Sequence, residues 1–406
     1  NSEGLKQKGD WKNILFTESS NAHLTTLEYV IVEYGGSSIG MIVYESSNIT
    51  LDNVIIQNSA TTGIFTRKAI ACKIKNSKFE NTTIGIDFRN FGSGEVIQVD
   101  IENNTIKSSS SYGIIVNYTD SSVSHKLKIS SNEISHCTRG AGLYIRGEEA
   151  IITDNTFDSN ELNALNIDLS LTVGDETQII FERNTFTSTK SGSALDLKVT
   201  NTEITVSKNV FKLNNAPTDS QVFVQSFGSS GGKFVMSNNE FDSNIAGTYL
   251  IHFKKNSLCS KTMSFNNNTI VSNSVQNAGS ILYYQMRTDC MGDNDEIKFN
   301  NFTNNKVLSG TIISTVFTNS ESTLLNRNIL NNPNIAFEII FDGNQGTILN
   351  AEENFFGTTN SLSIMNKLYD YFENTLKGYI RVNPVLMESS LESIAQNVAH
   401  NLISHP

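Results

Sequence analysis

One set of side chains has the composition for proton transfer on a sugar: Tyr144, Arg146, Asn166, Asp168 and Asp196. Abstracting a proton beside a uronate carboxylate takes a base, an acid and a group that neutralises the carboxylate. This set offers a phenol, two carboxylates, an amide and a guanidinium, so the enzyme class would be a polysaccharide lyase or epimerase. The same types clothe any solvated strand face, and little else in the chain joins them. The six histidines, His23, His125, His136, His252, His400 and His405, are scattered, and the paired aspartates with Gly-His-Gly of a β-helix hydrolase are absent. Asp154, Asp158 and Asp175 suggest Ca²⁺, yet neither an EF-hand loop nor a Gly/Asp-rich calcium repeat is present. No phosphate-binding loop, zinc-spaced Cys/His set or nucleophile elbow occurs. We therefore expect no catalysis, no metal and no cofactor, with a carbohydrate-active enzyme or a glycan-binding module as the alternative.

The elements that carry these residues follow from a repeat. Lys233 to Asn244, KFVMSNNEFDSN, and Ile151 to Asn160, IITDNTFDSN, share one phrase: alternating apolar residues, Asn, any residue, a large apolar residue and a polar turn. With the Asn as phase marker, the marks fall at Asn53, Asn76, Asn104, Asn132, Asn155, Asn184, Asn209, Asn239, Asn268, Asn301 or Asn305, Asn328 and Asn354, mostly 23 to 30 residues apart. A period of that size with only strand-length apolar runs indicates a solenoid. After each mark a Gly or Ala opens a second run with period-two alternation, which predicts Ile86, Phe88, Leu143, Ile145, Leu165 and Ile167 inward. One rung cannot bury its own inner face, so rungs must stack in parallel register. The fold expected is all-β, a right-handed parallel β-helix of about 12 rungs with a C-terminal capping helix. A leucine-rich repeat would need its Leu-x-x-Leu-x-Leu phrase, which is missing. The β-helix domain is placed at 1–386, with 351–386 as the terminal capping segment and 387–406 as a connector or short helix.

Composition agrees. Charged residues are 17% of 406, and the formal charge of −11 argues against nucleic acid or anionic lipid as a partner through bulk electrostatics. No apolar run approaches the ~20 residues of a membrane span, so direct membrane insertion is not expected. With no initiating Met or signal peptide, the chain reads as a piece of a longer protein. Sequons at Asn48, Asn81, Asn103, Asn117, Asn267 and Asn301 are candidate glycosylation sites. Cys259 follows Leu250, and Cys290 follows Ile281, at one common distance, so a Cys259 to Cys290 disulfide between equivalent positions of neighbouring rungs is expected. Cys72 alternates with Ile70 and Ile74 and reads as a buried thiol; a bridge from it to Cys137 is not supported. These features favour an extracellular setting, secreted or in the ectodomain of a membrane protein.

The two ends are distinctive. GDWKNILF, Gly9 to Phe16, precedes LTTLEYVIVEYGG, in which Leu27, Tyr29 and Ile31 alternate, and Trp11 is placed to seal the first rung. At the other end Asn354-Phe355-Phe356-Gly357 makes a turn, and Ser361 is placed to cap a helix carrying Leu362, Ile364, Met365, Leu368 and Phe372. Gly378 to Val382 then returns as a strand that Pro384 stops. Beyond it, Leu391, Ile394, Val398 and Leu402 have helical spacing. With the Asn-x-Phe/Ile rungs between them, these ends resemble the extracellular right-handed β-helix modules of animal adhesion proteins of the bark beetle or anakonda type, over residues 9 to 386. The resemblance implies an ectodomain at epithelial cell corners that organises tricellular junctions.

The residues themselves point to a non-catalytic adhesive or scaffold module. An outward column on the second strand, Asp87, Ile115, Tyr144, Asn166 and Asp196, then Phe223 and Tyr283, would form a partly apolar strip suited to a protein partner, including a second copy. Long turns or glycans lying over the strip are the competing reading. Tyr144, Phe223 or Tyr283 would be the stacking platforms of a glycan-binding module.

Overall fold

The computed structural model describes residues 4–17, 26–45, 48–67, 71–89, 97–117, 125–144, 149–169, 177–200, 202–227, 232–255, 261–286, 295–317, 323–332, 335–370, 372–383 and 385–386. The chain divides into two compact units, Asn1–Thr200 and Asn201–Pro406. Each is a right-handed parallel β-helix, with three strands to a rung.

In the first unit one rung runs Ile84–Arg89, Ile97–Glu102 and Thr105–Lys107, and the chain then returns to the first sheet at Tyr112–Asn117. We call the three sheets A, B and C in that order. Equivalent residues meet across rungs: Ile86 faces Ile114, Val99 faces Leu127, and Ile106 faces Ile134, all in parallel pairs. A parallel crossover of this kind is right-handed because of the strand twist. Ile86, Phe88, Leu143, Leu165 and Ile167 are buried as the alternation requires, each worth roughly 1.5–3 kcal/mol of removed apolar surface. Ile145 lies outside the described residues. Sheet C strands are so short that each buries a single apolar side chain, and these stack: the Phe157 and Phe186 rings are 4.9 Å apart with planes inclined by 3°.

The turn from sheet B to sheet C needs two residues, and the phase marks conflate them. The first takes the left-handed conformation, as at Asn53, Asn76 and Asn103 with φ of 53°, 53° and 54°. The second points inward and is buried, as at Asn104, Asn132, Asn155 and Asn184. Marks at Asn53 and Asn76 therefore sit one residue early, and Val54 and Ser77 hold the inward position. Each inward Asn ties three rungs: Asn132 donates from its backbone N and from Nδ2 to Asn155 Oδ1, both at 3.0 Å, and from Nδ2 back to Ile101 O at 2.8 Å.

In the second unit sheet B runs from Thr202–Ser207 to Tyr379–Arg381 and sheet C from Val210–Lys212 to Ile329–Asn331. The inward ladder there contains Asn209, Asn239, Asn268, Asn300, Asn328 and Asn354, so the mark near Asn301 belongs to Asn300. Asn305 is part of a second ladder, in the turn from C to A, with Asn214, Asn244, Asn273 and Asn332. That second ladder ends on a carboxylate: Asn332 donates from N and Nδ2 to the two oxygens of Glu338, at 3.1 and 2.9 Å, and Lys367 Nζ lies 3.3 Å from Oε1.

The ends depart from the sequence pattern. Tyr29 takes the left-handed turn, with φ of 56°, so the expected alternation of Leu27, Tyr29 and Ile31 breaks; Tyr29 and Ile31 are exposed and Val32 is the buried residue. Trp11 does close this rung on one side, its Nε1 donating to Glu33 O at 2.8 Å and its ring filling the space beside Gly35. At the other end the helix spans only Ser361–Met365, and its N-cap is Asn360, not Ser361, since Asn360 Oδ1 accepts from Ser363 N at 2.9 Å. Ile364 and Leu368 are buried, whereas Leu362, Met365 and Phe372 are exposed. The returning strand is Tyr379–Arg381; Pro384 lies outside the described residues.

Cys72 and Cys137 are buried free thiols, on a sheet B strand and in a C-to-A turn respectively. Cys259 and Cys290 lie outside the described residues.

Candidate functional site

The outer face of sheet A carries the residues singled out for chemistry. In the first unit Asp87, Ile115, Asn166 and Asp196 share one column, and the position expected for Tyr144 is filled by Gly142. Tyr144 stands one pleat further along, in a column with Arg89, Asn117, Asp168 and Lys198. So Tyr144 and Asp168 are direct neighbours, Asn166 and Asp196 are direct neighbours, and the two pairs lie side by side about 6–7 Å apart along the strands. Arg146 lies outside the described residues.

Two further residues complete the cluster. Tyr112 faces Arg139 across adjacent rungs, and the guanidinium sits 5.3 Å from the centre of the Tyr112 ring. The Tyr112 ring also lies on Gly142, where a β-carbon would come within 2.9 Å of it. Its hydroxyl pairs with that of Tyr144. Burial, and then this bond, push the Tyr144 phenol up to about 12, so at neutral pH it holds its proton. It can bridge and orient, but it is poorly suited to act as a base. The carboxylate chemistry also varies along the face. Asp87 is buried and clamped by Arg89 at 2.9 and 2.8 Å, with burial raising its pKa against that pairing. The Oδ1 atoms of Asn117 and Asn166 are buried and find no hydrogen-bond partner among the described residues.

In the second unit the corresponding face carries an aromatic row. Phe223 and Tyr283 share one column as expected, and His252 stands between them, with Ser314, Ile340 and Tyr369 following. His252 meets Phe223 and Tyr283 edge-on, at 5.0 Å in both cases, and Tyr249 stacks on Tyr283 at 4.3 Å. All four rings are half-buried. Burial, helped by Lys254, lowers the imidazole of His252 to about 4, and its Nε2 is enclosed without a partner among the described residues. It therefore behaves as one more neutral ring. The signal that could have found it is the rung spacing from Phe223.

Of the sequons, Asn81 and Asn103 are exposed at left-handed turn positions, while Asn48, Asn117, Asn267 and Asn301 are half-buried. Asp154 is paired with Arg183 at 2.7 Å and Asp158 accepts from Thr187 at 2.7 Å; Asp175 lies outside the described residues. Among the described residues no cluster of three acidic, His or Cys side chains could hold a metal ion, and no helix is long and apolar enough to cross a membrane. A separate charged group, Lys255 with Asp295 at 2.8 Å and Tyr284 donating to the same carboxylate, is buried inside the second unit, away from this face.

No curated protein and no solved structure matches the chain. Residues 84–258 match the family described as a right handed beta helix region, which agrees with the stacked rungs described above.

Proposed function

We propose that this chain is a non-catalytic extracellular binding module of an adhesive or scaffold protein, acting at cell-cell contacts such as the tricellular junctions of epithelia. The observation that carries this reading is the row Phe223, His252 and Tyr283 with Tyr249 stacked beside it, four half-buried rings on one sheet face. Rigid aromatic side chains that remain partly open to solvent suit a protein partner, because they bury much area at little entropic cost. A second copy of the chain is the first partner to test. Beads coated with the purified module are expected to cluster, and a Phe223→Ala/Tyr283→Ala variant is expected to lose the effect. Beads that stay dispersed would remove self-adhesion, and clustering unchanged in the variant would remove this face as its cause.

A second reading rests on Tyr112, Arg139 and Tyr144, which place aromatic faces, a cation and the Asn117 and Asn166 amides together in the first unit. This set suits a saccharide, with ring faces on tyrosine and hydroxyls on amides. Saturable saccharide binding that Tyr144→Ala abolishes, without product, would identify a glycan-binding module; new reducing or unsaturated ends would identify an enzyme.

A further inference from the structure

Rungs of a parallel β-helix repeat every ~4.8 Å along its axis, so side chains stacked in one column form a ruler. In the second unit, neighbouring columns on the outer face of sheet A differ in chemistry. One holds Phe223, His252 and Tyr283, whose ring centroids are separated by 5.0 Å at each step. Phe223 and Tyr283 therefore stand two rungs, about 9.6 Å, apart. Tyr249, stacked on Tyr283, broadens that end of the row. Two residues further along the same strands, the next outward column holds Gln225, Lys254 and Gln285, in register with the rings. These three are half-buried, and none of them makes a side-chain hydrogen bond among the described residues. The face thus sets two aromatic platforms at a fixed separation beside a line of uncommitted N–H donors, and no carboxylate stands in either column across these three rungs.

We propose that this face binds a proline-rich segment of another protein in the polyproline II conformation, lying along the solenoid axis. The inference rests on the aromatic row being the binding face, and adds what the row recognises. A polyproline II helix turns once in three residues at about 3.1 Å each, a repeat of about 9.3 Å, which matches two rungs. Prolines at i and i+3 then fall on Phe223 and Tyr283 in succession, with His252, a neutral ring at pH 7, filling the floor between them. Proline rings against aromatic faces bury apolar area on both sides, and the segment is already extended, so little chain entropy is lost on docking. The flanking column completes the match. Polyproline II has no internal hydrogen bonds, so its carbonyls are free to accept from the Gln225 and Gln285 amides and the Lys254 ammonium, while proline brings no N–H that would need an acceptor. A saccharide must donate from its hydroxyls, and a face without carboxylates serves it less well. A second copy of this chain cannot supply the ligand in this form, because its four prolines, Pro217, Pro333, Pro384 and Pro406, are never three residues apart.

Fluorescence polarisation of labelled decaproline titrated with the full chain tests this, alongside a Gly-Ser peptide of equal length and a soluble β-linked hexaose. The expected result is saturable binding of decaproline and none of the Gly-Ser peptide. Phe223→Ala/Tyr283→Ala should weaken decaproline binding about tenfold or more. Gln225→Ala/Gln285→Ala, which leaves the rings in place, should weaken it severalfold with the melting temperature unchanged, and Tyr144→Ala in the first unit should leave it as it was. Absence of saturable decaproline binding, equal affinity in all variants, or binding of the hexaose alone would each overturn the proposal. If decaproline fails while bead clustering still depends on Phe223 and Tyr283, the ligand is wrong and the face stands; if both fail, the face is removed as well.

Discussion

Asn238 and Asn239 are chemically identical neighbours with different work to do. Asn238 holds the left-handed turn, with φ of 58°, and its side chain is half-exposed. Asn239 is buried; its Oδ1 accepts from Asn209 N and Nδ2 at 2.9 and 3.0 Å, and its Nδ2 donates to Val206 O and Asn268 Oδ1, both at 2.9 Å. Asn238→Ala removes a residue that tolerates the left-handed region and should cost about 1 kcal/mol. Asn239→Ala strands several buried donors and acceptors and should cost about 3 kcal/mol or more. Urea unfolding of the two variants measures the difference, and equal losses would mean that the ladder contributes little. His252 gives a second test at this scale. Its folded pKa of about 4 lies below the ordinary 6.5, so the unfolded chain takes up the proton first as pH falls. The stability associated with the neutral ring is therefore complete above about pH 6.5 and is lost on the way down to pH 4. His252→Phe keeps a ring in the row and should flatten the acid-side loss of stability within that window. An unchanged pH profile would show that other groups govern it.

Rung register in the first unit depends on a column of small residues near the start of the sheet A strands, Gly63, Gly85, Gly113, Gly140 and Ala164. A β-carbon at Gly113 would lie 2.7 Å from Gly140 O, and one at Gly140 would lie 2.2 Å from Ala164 O. That column was legible in the sequence, as were the strand alternation and the repeat, because period-two apolar spacing and Gly/Ala marks survive from rung to rung. In Arg139-Gly140-Ala141-Gly142-Leu143-Tyr144, however, two glycines compete for the mark. Taking Gly142 shifts the rung by one pleat and places Tyr144 in the column that Gly142 occupies. Parity is preserved, so Tyr144 was correctly predicted to face outward but was assigned to the wrong column. Tyr112 and Arg139 escaped for the same reason, since each stands just before the glycine that sets the register. The helix was overextended because Leu362, Met365 and Phe372 have helical spacing, while the chain instead turns at Asn366 to supply the Leu368–Tyr369 strand. The two glycines separate experimentally. Gly140→Ala meets backbone and should destabilise by about 1–3 kcal/mol. Gly142→Ala meets only the rings of Tyr112 and Tyr144, which can move, so stability should change little while any saccharide affinity of the first unit falls. Thermal melts and saccharide titration of the pair check both halves.

At the scale of the whole molecule, charge and adhesion pull in opposite directions. A chain of formal charge −11 repels its own copies, and that repulsion reaches about 10 Å at 0.1 M salt but only about 3 Å at 1 M. Some of the charges are paired locally, as in Arg183 with Asp154, Lys75 with Asp52, and Arg327 with Glu353, and acidic residues outnumber basic ones by 41 to 30. If self-association rests on the aromatic row around His252, its driving force is apolar burial, which moderate salt does not weaken. Screening should then help: clustering of module-coated beads should become faster as NaCl is raised from about 0.05 to 0.5 M. An interface built on ion pairs would behave in the reverse way, slowing over the same range as its attraction is screened. Light scattering of the bead suspension across that series distinguishes the two. A slowing that the Phe223→Ala/Tyr283→Ala variant shares would move the adhesive surface off sheet A and onto the charged turns.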